Sequence, residues 1–169
     1  MTLLRVIFFY FLVYSFFGWI IEGIFNLYTK GRFIKPNFLY LPLKPMYGIA
    51  SVLLVQLSNL LPFWLLIPCC FIIPTAVEYL TALWLLNTFN LRYWDYSQNA
   101  YQISGFICLK FCIYWGILSY ILIFFIHPII VGIYQRIYFV WIYLAPIFFF
   151  IILMDFLFTI RNQERLNVE

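Results

Sequence analysis

Residues 6–28 read VIFFYFLVYSFFGWIIEGIFNLY, and Glu22 is the only charged side chain in the run. An apolar stretch of about 20 residues is the length a helix needs to cross the hydrocarbon layer of a bilayer. The rest of the chain repeats the pattern. Of its 169 residues, 66% are hydrophobic and 9% charged, with no soluble domain between the apolar runs. The chain is an integral membrane protein by composition. A charge at the centre of a membrane helix costs about 2.5 to 3.5 kcal/mol on insertion scales, so such residues usually face a bundle interior or a wet cavity. Four acids sit within or beside the apolar runs, Glu22, Glu78, Asp95 and Asp155, and each needs a reason to be there.

The expected fold class is all-α, a polytopic membrane helical bundle of about five transmembrane helices forming a single domain over residues 1–169. The runs place spans near 6–28, 46–61, 63–89, 104–126 and 138–160. The second is short for a full crossing, and the Leu61-Pro62-Phe63 junction allows only a tight turn into the third. It reads as half of a helical hairpin or as a partly re-entrant segment. Pro128 is expected to end the fourth span, with Gly132, Gln135 and Arg136 forming a short connector. The first run follows Arg5 and lacks an A-x-A cleavage site, so it is expected to be a span rather than a signal peptide.

The net charge of +4 does not indicate a nucleic-acid surface, because the basic residues fall at the ends of apolar segments rather than on one exposed face. Membrane orientation explains them better. In a five-span arrangement Lys30, Arg32, Lys35, Lys44, Arg92, Arg161 and Arg165 lie on one side, against Arg5 and Arg136 on the other. Basic loop residues accumulate in the cytoplasm, so the N-terminus is expected outside and the C-terminus inside. Without a crossing by the second segment, the first loop and the tail would separate and split that positive charge. Glu22, Glu78, Asp155 and Lys110 then fall in the cytoplasmic halves of their helices, the three acids about 8 to 17 Å deep, with Asp95 in an inner loop.

On the first helix Ser15, Gly18, Glu22, Asn26 and Thr29 lie within about 40° of one meridian. Helix packing accounts for Ser15 and Gly18 but not for a carboxylate, so Glu22 is read as paired or cavity-facing. On the third helix Glu78 shares its face with Pro74, Thr75, Thr81 and Ala82; a proline-opened backbone beside a carboxylate suits a functional site, and a protonated Glu bonded to a hydroxyl is the plainer alternative. Asp155 groups with Thr159 and Asn162 and is expected to pair with Arg161 or to snorkel to the interface. Lys110 lies opposite a small-residue seam of Gly105, Cys108, Cys112, Gly116 and Ser119, and is expected either to snorkel or to pair with Glu22 or Glu78.

Two loops look specialised. The first, Phe38 to Gly48, carries Pro42 and Pro45 around Lys44 just before a membrane entry, where a stiff backbone would line a polar cavity or make an ordinary aromatic interfacial turn. The other, Arg92-Tyr93-Trp94-Asp95-Tyr96-Ser97-Gln98-Asn99, offers Asp95 as a cap, as a salt-bridge partner of Arg92 or as a ligand contact, in that order. The four cysteines lack metal-site spacing with His partners and are read as packing residues; no cofactor or metal is expected. The chain has no G-x-x-x-x-G-K-[ST] loop, no H-E-x-x-H and no G-x-S-x-G, and the lone His127 has no acidic neighbour for a triad.

Several strings together resemble the putative ABC-transporter type IV, or CmpB-like, family: YSFFGWIIE at 14–22, PLKPMYG at 42–48, EYLT at 78–81, WDYS at 94–97, GFICL at 105–109 and Trp115-Gly116. They cover about residues 8–130 in the family's order. Where the family is expected to show Asn-Ile-x-Gly, this chain has Gln102-Ile103-Ser104-Gly105, which leaves the role of Gln102 open. The resemblance implies a small polytopic protein classed with transport permeases, and its motif acids are Glu22, Glu78 and Asp95 but not Asp155. The motifs also contain Trp19, Lys44, Tyr47, Trp94 and Tyr96, which with Lys110 complete the candidate substrate or coupling site.

Three functions fit these residues. The first is a permease-like transporter component, with its ATPase supplied in trans from the cytoplasm and a homo- or hetero-oligomeric assembly. The second is a membrane-embedded enzyme acting on a lipid or headgroup at the inner leaflet, with Glu22 or Glu78 as general base and Asp95 or Lys44 orienting the substrate. The third is a non-catalytic accessory or sensor protein. No catalytic residue is assigned, and the reading leans against an enzyme.

Overall fold

The computed structural model describes residues 2–33 and 37–166, with side chains at 3–33 and 37–163. Lys35 lies outside the described residues, and the side chain of Arg165 outside the described side chains. The chain is almost entirely helical: α1 (Thr2–Lys30), α2 (Pro45–Ser58), α3 (Phe63–Phe89), α4 (Leu109–Ile121), a π-helical turn (Leu122–Ile126) and α5 (His127–Leu166). Between α3 and α4 lies a small antiparallel hairpin, β1 (Gln102–Ile103) and β2 (Ile107–Cys108), with Gln102 opposite Cys108 and Ile103 opposite Ile107.

Among the described residues, three helical stretches are long and apolar enough to cross a membrane: Leu3–Lys30, Phe63–Phe89 and Leu109–Gln163. The helix boundaries therefore do not give the expected count of about five. One reason is α2, whose 14 residues rise about 21 Å, short of a hydrocarbon layer about 30 Å thick. The other is the absence of the expected connector at Pro128 and Gly132, through which the chain stays helical. Proline removes a backbone donor and would normally end or kink the helix there. Here the π turn stands immediately before it, and the His127 amide donates to the Leu122 carbonyl, five residues back. The ladder is thus reorganised where proline leaves it one donor short.

The start of the expected fourth span also shifts. Ser104 to Cys108 belong to the hairpin, so Gly105 and Cys108 are not part of the helical seam; Cys112, Gly116 and Ser119 are. Helix α3 ends at Asn90, which takes the left-handed conformation that closes a helix (φ 54°) and donates its amide to the Leu85 and Leu86 carbonyls.

The chain forms two compact units, Met1–Gly48 with Tyr134–Glu169, and Ile49–Ile133. In the first, α1 packs on α5 through aromatic side chains. Trp141 is buried, its ring against Phe8 and Phe9, and its indole N–H donates to the Arg5 carbonyl at 3.0 Å. In the second, Leu54, Leu66, Cys70 and Ile123 form a core bordered by Leu57, Phe71 and Leu122. The α3–α4 contact is close because Gly116 leaves room for the Phe71 ring, whose backbone carbonyl faces the Cys112 thiol.

Outside these cores the surface inverts the soluble pattern. Ile24, Ile72 and Phe150, each in the middle of a long helix, are 56%, 63% and 61% exposed. Broad exposed apolar faces on long helices are what contact with lipid requires.

The Phe71 contact gives a direct test of the seam. Gly116→Leu forces a side chain into the ring and should lower stability by about 1 to 3 kcal/mol, the usual cost of overpacking. Gly132 has open space where a Cβ would go, so Gly132→Ala should be neutral or raise stability by up to about 1 kcal/mol. Thermal unfolding in detergent measures both.

Candidate functional site

The polar stripe of α1 turns inward at Ser15, Gly18, Glu22 and Asn26, whereas Thr29 at its end is exposed. Ser15 is fully buried, Asn26 nearly so, and Gly18 lies under the ring of Tyr47. A Cβ at Gly18 would occupy the space of that ring, so glycine is what admits Tyr47 to the helix surface. The loop before α2 is fixed to the same stripe by its backbone, the Lys44 amide donating to the Ser15 carbonyl at 3.0 Å. From that anchor the Lys44 side chain reaches along the helix to Glu22, with Nζ 3.0 Å from Oε2, and the Tyr47 hydroxyl lies 3.2 Å from the same oxygen. The pair is largely withdrawn from the surface, with side-chain exposures of 14% for Glu22 and 12% for Lys44. Two charges that are expensive singly in hydrocarbon are held as a hydrogen-bonded pair. Trp19, one turn away, stacks on Phe16 and meets Phe33 edge-on at 5.3 Å, forming an aromatic wall rather than a polar contact.

Glu78 belongs to the second unit and has its own donors. It lies on the buried stripe of α3 between Cys70 and Ala82 and is 2% exposed. The Tyr96 hydroxyl donates to Oε1 at 3.0 Å and the Trp115 indole N–H to Oε2 at 2.8 Å. Tyr96 is placed by stacking on Phe111 at 4.5 Å and by its own amide, which donates to the Gly105 carbonyl. Trp115 was not among the expected site residues. The available signal was an indole N–H on an otherwise apolar helix, a group that seeks an acceptor when buried.

The segment from Asn90 to Cys108 is ordered by a polar network. Arg92 Nη2 lies 2.9 Å from Asp95 Oδ1 and 3.2 Å from the Ser104 carbonyl, and the guanidinium stands 4.9 Å from the Phe106 ring centroid. Asp95 Oδ1 also accepts the Ser97 amide at 2.9 Å, so this acid serves both as a turn cap and as the Arg92 partner. Those were the first two roles expected for it. The Trp94 indole donates to the Phe106 carbonyl, and Gln102 Oε1 accepts the Gly105 amide, giving that side chain a structural role. The hairpin turn has positive φ at Ser104 (54°) and Gly105 (68°), with the Phe106 amide returning to the Ile103 carbonyl, and residues 104–106 connect the paired strands. Glycine at 105 meets both demands, the left-handed backbone and the space taken by Arg92 and Asp95.

Asp155 holds a backbone segment rather than the Arg161 partner expected for it. Its Oδ1 accepts the Tyr40 amide at 3.1 Å and its Oδ2 the Leu41 amide at 3.0 Å, so it holds the loop before α2 instead of pairing with Arg161. Lys110 is exposed, with its ammonium 5.9 Å from the Tyr114 ring centroid. No group of three or more metal-ligating side chains occurs among the described residues.

The shared acceptor of Tyr96 and Trp115 makes a graded prediction. Glu78→Ala leaves both donors without this acceptor and should cost about 1 to 3 kcal/mol per donor, whereas Glu78→Gln keeps one carbonyl oxygen and should lose less; chemical unfolding in micelles ranks the two. A pH prediction follows from the loop. Hydrogen bonds from the Ser97 backbone and side chain hold the Asp95 carboxyl below its ordinary value, against an opposing effect of desolvation and with a lesser contribution from the Arg92 charge. A group lowered in the folded state stabilises above its unfolded value, and that contribution is lost as pH falls through the folded one. Exchange of the Ser97 amide should therefore accelerate, beyond its intrinsic pH trend, only below the ordinary carboxylate range, and Asp95→Asn should remove the step.

Searches of curated proteins and of solved structures give no match for this chain. The family model described as putative ABC-transporter type IV matches residues 9–160, which include both carboxylate clusters, the hairpin and Asp155. The chain belongs to the putative ABC-transporter type IV family.

Proposed function

We propose that the protein is the permease-like membrane component of a transporter, with the Glu22–Lys44–Tyr47 cluster as its solute or coupling site. The observation that carries this reading is the Glu22–Lys44 pair itself, an opposite-charge pair withdrawn from the surface on a helix whose other faces are apolar. Polar and charged groups of this kind within membrane segments mark substrate and ion pathways. Family membership supports the transport assignment. Glu78, with Tyr96 and Trp115, is a second carboxylate contact in this reading, and the ordered Arg92–Asp95 hairpin is the surface at which a partner is sensed. Trp94, Tyr96 and Lys110 border that surface, and Trp19 walls the first cluster.

The chain has no nucleotide-binding loop, so energy would come from a separate cytoplasmic ATPase. The topology proposed is the five-crossing one, with the N-terminus outside and the C-terminus cytoplasmic. It is supported by the distribution of Lys and Arg.

Isolation of the intact protein from its native membranes in a mild detergent should bring down a subunit carrying a phosphate-binding loop, and the complex should hydrolyse ATP. Recovery of the chain alone, from membranes in which it is functional, would contradict the assignment. Impermeant thiol labelling of single cysteines placed at positions 2 and 168 checks the orientation: labelling in intact cells should occur at the first and not at the second.

A further inference from the structure

The acid set apart from the family motifs, Asp155, makes contacts that lead back to Glu22. Its two carboxylate oxygens each accept one of two consecutive backbone amides, Tyr40 and Leu41, from a segment 114 to 115 residues earlier in the chain. Seven residues on, and so on the same helix face, Asn162 donates to the Tyr40 hydroxyl at 3.0 Å. Two ring pairs flank these bonds, Phe38 on Phe156 and Tyr40 on Phe158. The segment is also bonded to itself, because the Asn37 side chain donates to both the Leu41 and Leu43 carbonyls. Leu39 and Leu43 are buried, and the next residue is Lys44, whose amide is on Ser15 and whose ammonium is on Glu22.

Residues 37–44 therefore form a short strap fastened near its middle by Asp155 and delivering Lys44 at its end. Only a group with two acceptor atoms can take two adjacent amides in this way. An asparagine would present an NH2 group to one of them and leave that amide facing a donor. A lysine on a loose loop would spend much of its time in the headgroup region, where its ammonium is solvated, and Glu22 would then lose that counter-charge.

We infer that Asp155 is a positioning residue of the Glu22 site, holding the strap so that Lys44 stays on Glu22. This rests on the proposed role of the Glu22–Lys44 pair, and the test separates the two. Dicyclohexylcarbodiimide reacts with neutral carboxyl groups in apolar surroundings, and an ammonium held on Glu22 suppresses that reaction. The full-length protein is labelled in proteoliposomes of neutral lipid, and adducts at Glu22 and at Glu78 are quantified by mass spectrometry. Lys44→Met should raise Glu22 labelling about tenfold, because the carboxyl loses the ammonium that favours its ionised form. Asp155→Asn, nearly isosteric and so expected to fold, should raise Glu22 labelling comparably while Glu78 labelling stays at the parent level.

If Lys44→Met raises Glu22 labelling and Asp155→Asn does not, the positioning role is overturned and the ion pair stands. If Lys44→Met fails to raise Glu22 labelling, both are overturned. An equal rise at Glu22 and Glu78 in Asp155→Asn shows general loosening and also overturns the positioning role.

Discussion

A carboxylate in hydrocarbon has to be met by a cation or by hydrogen-bond donors, and the 3.0 Å contact between Glu22 and Lys44 meets that demand for α1. Much of the first unit is arranged around it. Gly18 makes room for Tyr47, the Ser15 carbonyl takes the Lys44 amide, and the 37–44 strap brings the lysine from the loop to the helix stripe. The second unit meets the same demand by placing a phenol and an indole on the two oxygens of Glu78. In both units the carboxylate comes from a long helix, and one donor comes from a tyrosine in the segment that follows it, Tyr47 or Tyr96.

The donor chemistry of the two sites differs in kind. An ion pair with a hydroxyl beside it offers a solute both a cation and an anion to exchange with, which suits a place where something binds and leaves. The phenol and the indole on Glu78 couple that carboxylate to the elements that hold them. Tyr96 is tied to the hairpin by its amide, which donates to the Gly105 carbonyl, and the hairpin's own order depends on Arg92, Asp95, Trp94 and Gln102. A partner that displaced the hairpin would move a donor off Glu78, which gives this segment a physical route from surface to carboxylate.

How much of this was legible in the sequence depended on the range of the interaction. The stripe at Ser15, Gly18, Glu22 and Asn26 follows from helical periodicity and is found buried for Ser15, Gly18 and Asn26, with Glu22 partly so. The role of Asp95 follows from neighbours within three residues. The Asp155 contacts do not, since their partners are backbone amides more than a hundred residues away and an amide carries no residue-type signal. The hairpin escaped because its strands are two residues each, below the length at which alternation can be read. The continuous helix through Pro128 escaped because a π turn depends on ladder geometry rather than on composition.

The central claim, that Glu22 and Lys44 are bound to each other as a charge pair within the membrane protein, is tested most directly by exchanging the charges. Stabilities of Glu22→Lys, Lys44→Glu and the double variant are measured by thermal unfolding of the purified protein in one detergent. If the pair is direct, each single change is strongly destabilising and the double variant recovers, with a coupling energy in the range of about 0.5 to 3 kcal/mol found for groups in contact. Additive losses in the double variant would contradict the pairing, and with it the reading of this cluster as the protein's functional site.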